Sequence, residues 1–134
     1  MKPGILLLIG LIPVLSFAQT YKKHSVHKDR LSIQLSEGVL NIIPLSDKAI
    51  RVQWEKDTMK EEREFILINK LSIPAFRFTE AGSKLKLSTN TITVSFDKQT
   101  SAIDYTDNSG KIFLSEKAGS RKLRPDTVGG ENCF

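Results

Sequence analysis

Residues 84–114 read KLKLSTNTITVSFDKQTSAIDYTDNSGKIFL. Leu85 and Leu87 alternate with lysines. Ile92, Val94 and Phe96 alternate with Thr91, Thr93 and Ser95. Ile103 and Tyr105 alternate with Asp104 and Thr106, and Ile112 and Leu114 follow. A period of two places each apolar set on one face of a pleated strand. The runs break at Thr89-Asn90, at Asp97 to Thr100 and at Asp107 to Gly110. Asn, Asp and Gly tolerate the backbone angles of tight turns, so the breaks read as hairpins. The stretch predicts a four-stranded antiparallel meander with one apolar face. That face, carrying Ile92, Val94, Phe96, Ile103 and Leu114, requires a second layer.

Upstream the same period recurs. Leu31, Ile33 and Leu35 alternate within residues 30–35, Glu37-Gly38 turns, and residues 39–45 form a second strand in which Pro44 marks an edge or an end. Ser46-Asp47-Lys48 turns again. Residues 49–55 then place Ile50, Val52 and Trp54 inward and Arg51, Gln53 and Glu55 outward. A further strand is predicted at residues 65–68, and Ile73 to Phe76 reads as an irregular crossing into the meander. The fold class is all-β, an antiparallel sandwich spanning residues 30–117. Residues 118–134 lose the pattern and read as a flexible linker or a truncated continuation.

The chain has 134 residues, room for one domain, and 40% hydrophobic residues, which argues against disorder. Its +5 charge is dispersed along the sequence rather than gathered on one helix or face beside stacking aromatics, so nucleic acid is not an expected partner. Lys2 followed by the apolar run Ile5 to Leu15 and then Ser16-Phe17-Ala18 reads as a signal peptide over residues 1–18, cut after Ala18. The run is short for a membrane span and is broken by Pro13. No cysteine follows it to carry a lipid. The expected location is secreted or periplasmic.

Residues 19–29 read as a mobile polar leader holding both histidines, His24 and His27. No third ligand accompanies them, so no metal is expected. The single cysteine, Cys133, has no pairing partner and no evident activating base. Asp57, Glu61 and Glu62 sit in a densely charged run that reads as a solvated loop, not as the tuned acid pair of a glycosidase. No phosphate loop, zinc pattern or nucleophile elbow occurs, and no cofactor is expected. No catalytic residue is assigned. Trp54, the only tryptophan, is the one candidate contact for a carbohydrate or an interface.

The run from Val39 to Trp54, VLNIIPLSDKAIRVQW, resembles the opening strands of glycoside hydrolase family 31, which includes α-glucosidases and α-xylosidases. A second passage, Leu87 to Asp97 followed by Ile103 to Asp107 and Gly110-Lys111, is similar to the strand–turn–strand region just before that family's sandwich meets its barrel. The resemblance spans residues 30–117. It implies an amino-terminal β-sandwich of galactose-mutarotase-like type, incomplete here and packed on a (β/α)8 barrel. The family's nucleophile and acid/base are aspartates of that barrel, so no catalytic role transfers to any position of this chain. The implied partners are the barrel and an oligosaccharide. The chain alone is expected to be non-catalytic and prone to associate through unpaired edges. The alternative is a free-standing carbohydrate-binding or adhesion module.

Overall fold

The computed structural model describes residues 19–56 and 72–121, together with the backbone of residues 126–128 and 131–133. The expected signal peptide, the charged run at 57–63, the predicted strand at 65–68 and the Cys133 side chain lie outside the described residues.

The described residues form an all-β structure of two antiparallel sheets and a separate hairpin. The first sheet has the order β1 (Tyr21–Val26), β2 (Leu31–Leu35), β3 (Val39–Ser46) and β4 (Ala49–Glu55). The second has the order β5 (Arg77–Ala81), β6 (Lys84–Ser88), β7 (Ile92–Asp97), β8 (Ile103–Asp107) and β9 (Ile112–Ser115). Each strand pairs with its neighbour in sequence, so both sheets are meanders. Among the described residues no helix is long and apolar enough to cross a membrane.

The period-two readings place the core. Leu31, Ile33 and Leu35 of β2, Leu40 and Ile42 of β3, Leu85 and Leu87 of β6, Val94 and Phe96 of β7 and Ile103 of β8 form one buried cluster. Residues from both sheets share it, as the sandwich requires. Ile50, Val52 and Trp54 of β4 pack against its margin, on the inward face that their alternation predicts. Pro44 pairs with Ile50 of β4, beyond the last β2–β3 pair at Leu31 and Ile42. Its missing N–H therefore faces no ladder, which reconciles a proline with an interior strand.

Four segments differ from the sequence expectation. Residues 21–26, read as part of a mobile leader, form the edge strand β1 on β2. The register slips between Tyr21 and Lys23, so Lys22 is the extra residue of a bulge. Residues 77–81 form the edge strand β5, where only a passage into the meander was expected. β9 exists as predicted, but its apolar residues are not buried. Ile112, Phe113 and Leu114 are each more than half exposed, because β9 is the outermost strand of the wider sheet. Within the stretch read as a flexible linker, β10 (Asp126–Val128) pairs with β11 (Glu131–Cys133). The Gly-Gly pair between them is a two-residue hairpin sequence, a signal that outweighs the polar composition around it.

Candidate functional site

Trp54 sits near the end of β4, directly across from Leu40. Its indole N–H donates to the Glu37 carbonyl at 3.0 Å, and Gln19 Nε2 donates to the same oxygen at 3.3 Å. Glu37 belongs to the tight β2–β3 turn, where Leu35 N–H donates to Gly38 O at 3.0 Å. Gly38 has φ +77, a left-handed backbone that other residues resist. A Cβ there would stand 2.7 and 2.8 Å from Trp54 Cε2 and Cζ2, and would also overlap the Glu55 carbonyl. Trp54 therefore lies over the turn as part of the margin of the core. Its emission reports directly on that place, since no other tryptophan contributes. Titration with α-linked xylo- and gluco-oligosaccharides is expected to leave the emission unchanged. A saturable spectral shift would instead make Trp54 a sugar contact.

Two groups of titratable side chains link neighbouring strands and sheets. On the second sheet, Lys84 of β6 lies opposite Asp97 and reaches Asp97 Oδ2 at 3.5 Å and Asp104 Oδ2 at 3.3 Å. Ser115 Oγ donates to Asp104 Oδ1 at 2.6 Å. Asp97 Oδ1 accepts from the backbone N–H groups of Gln99 and Thr100 at 2.8 and 3.2 Å, which fixes the β7–β8 turn. Partial burial pushes the Asp97 carboxyl up, but those N–H bonds and the Lys84 ammonium outweigh it and hold the group below its ordinary value. The Ser115 hydroxyl, and then Lys84, hold Asp104 low against burial and the charge of Asp97.

Both aspartates are thus easier to ionise folded than unfolded. The stability they contribute is fully present above the ordinary aspartate value of 3.8 and is lost as pH falls through the lower folded values. Denaturant midpoints measured across the acid range are expected to fall along that path. Asp104→Asn should flatten the fall, and an unchanged acid profile in that variant would count against the assignment.

The second group joins the free edges of the two sheets. Tyr21 Oη and His24 Nδ1 of β1 are 2.8 Å apart. His24 Nε2 lies 3.7 Å from Glu80 Oε2 of β5, and Lys98 Nζ donates to Glu80 Oε1 at 2.7 Å. The Lys98 hydrogen bond holds the Glu80 carboxyl below its ordinary value. The His24 ring also lies against Phe78 of β5, with centroids 5.3 Å apart. His24 is therefore engaged in joining the sheets, while His27 lies beyond the end of β1. Among the described residues no group of three or more His, Cys, Asp or Glu side chains could hold a metal ion.

A shallow cleft of about 400 Å³ opens at the end of the sandwich where the β3–β4 and β6–β7 turns meet. Asp47, Asn90, Ser46 and Leu45 line it. Thr89 Oγ1 donates to the Asp47 carbonyl at 2.7 Å, Thr91 Oγ1 donates to the same oxygen, and Asn90 Nδ2 donates to Asp47 Oδ2 at 3.2 Å. These bonds tie one sheet to the other. A general acid requires a carboxyl raised toward neutrality by burial or by a like charge. Every carboxyl described here with a displaced value is instead lowered. The arrangement builds and pins a sandwich.

No protein-family model matches the chain, and no curated protein matches it. A solved structure does. The glycoside hydrolase family 31 α-xylosidase of Xanthomonas citri superposes with a TM-score of 0.67 at 23% identity, over 80% of this chain. The likeness is one of fold. It involves 12% of the length of that enzyme, so the chain spans a small part of it.

Proposed function

We propose that this chain is the non-catalytic amino-terminal β-sandwich of an exported family 31 α-glycosidase. In this reading it packs on the (β/α)8 barrel that carries the hydrolysis and helps to shape the sugar pocket. The observation that carries the proposal is the shared fold, which occupies most of this chain and 12% of a family 31 enzyme. The strand sequences at residues 39–54 and 87–111 support it independently of the fold. So do the carboxyls of Glu80, Asp97 and Asp104, which are held below their ordinary values where the general acid of a glycosidase is held above. Ile112, Phe113 and Leu114 offer an apolar edge of the kind that a neighbouring domain covers.

The test lies in the adjoining DNA. A barrel-encoding sequence downstream of the Phe134 codon is expected. Its absence in every frame would overturn the proposal.

A further inference from the structure

A cavity of about 10 Å³ lies where three distant parts of the chain meet: Gln19 ahead of β1, the β7–β8 turn at Ser101, and the segment after β9 at Glu116 and Arg121. Among the described residues, three buried polar atoms on its lining find no hydrogen-bond partner: Gln19 Oε1, Ser101 Oγ and Arg121 Nη1. Gln19 and Ser101 are only 9% and 8% exposed. Each of the three residues is anchored by another bond. Gln19 Nε2 donates to Glu37 O, Ser101 N–H donates to Asp97 O at 2.7 Å, and Arg121 Nη2 bonds the Glu116 carboxylate. Ser101 also has φ +56, a conformation that serine seldom adopts without a local reason.

We propose that this cavity is a binding site for a single water molecule, held by Gln19 Oε1, Ser101 Oγ and Arg121 Nη1. The donor set selects the ligand. Arg121 Nη1 only donates, Gln19 Oε1 only accepts, and the serine hydroxyl does either. The ligand must therefore donate and accept at once. A cation would face the Arg121 guanidinium, and an anion would face Gln19 Oε1 and the Glu116 carboxylate. The space of about 10 Å³ matches one water, since a buried water needs roughly 10–15 Å³ and two to four polar partners. So placed, the water ties the entry to β1 in one sheet to the β7–β8 turn and the post-β9 segment of the other. It acts as a cross-link where no strand ladder runs between the sheets.

A crystal structure fine enough to place solvent is expected to show one peak about 2.7–3.2 Å from all three atoms. A direct bond between any two of the three groups, or an ion in the cavity, would overturn the site. In solution, the amide of Ala102 is expected to show a nuclear Overhauser contact with a long-lived water. That contact should vanish in Ser101→Gly, which keeps the left-handed backbone but removes the hydroxyl, and in Gln19→Met. A contact that persists in both folded variants would also overturn it.

Discussion

Replacing Phe96 with alanine is expected to destabilise the protein by about 3–5 kcal/mol. Phe96 is fully buried in β7, the middle strand of the wider sheet. It is flanked across the strands by Leu85 and Ile103, both themselves fully buried. The Tyr21 ring of the opposite sheet lies 6.3 Å from it, centroid to centroid. Truncation removes the largest side chain of the shared core and leaves a cavity that paired strands on either side cannot close. Domains of this size are stable by about 5–15 kcal/mol in all, so the variant sits near the threshold of folding. Denaturation followed by circular dichroism reads the loss directly. A loss under about 1 kcal/mol would mean that the two sheets do not share this core.

Gly38→Ala is the second large effect, and its cause is different. The position combines φ +77 with contacts that leave no room for a methyl group. Left-handed strain costs about 1–3 kcal/mol. Overlap with the Trp54 ring and the Glu55 carbonyl adds an overpacking cost of about 1–3 kcal/mol. Gly82 provides the control. It too is left-handed, at φ +57, but a methyl group there meets nothing within 4 Å. Gly82→Ala should therefore show the strain alone. Equal losses at the two positions would show that the Trp54 ring and the Glu55 carbonyl both yield without cost. A blue or red shift of Trp54 emission in Gly38→Ala alone would show that the ring has been displaced from the turn.

The strands that build the core were legible because large apolar side chains recur in them at alternate positions. Leu31, Ile33 and Leu35 are an example, and the observed β2 buries all three. β1 was not legible, for two physical reasons. Its half-buried residues are Tyr21 and His24 rather than aliphatics, and the bulge at Lys22 puts them three apart instead of two. β5 carries a single half-buried side chain, Phe78, because it is an edge strand whose other residues face water. β9 misled in the opposite direction. Its alternation is sound, yet alternation reports which residues share a face and not whether another sheet lies over that face.

The candidate residues divide in the same way. The inward direction of Trp54 followed from the period of two. Its position over Gly38 did not, because that contact depends on how a turn folds back on a strand sixteen residues later. Nor could the sequence bring Gln19, Ser101 and Arg121 to one cavity. Their meeting is a product of tertiary folding, and no local spacing announces it. Ser101 lay just beyond the predicted turn at Asp97 to Thr100, and its left-handed conformation is visible only in the backbone angle.

The central claim, that this sandwich carries no hydrolytic chemistry of its own, is tested most directly by offering the purified chain chromogenic α-xylosides and α-glucosides at acidic and neutral pH. Release of the chromophore at the rate of a heat-denatured control is the predicted result. Turnover that disappears when a single aspartate or glutamate of this chain is replaced by its amide would contradict it.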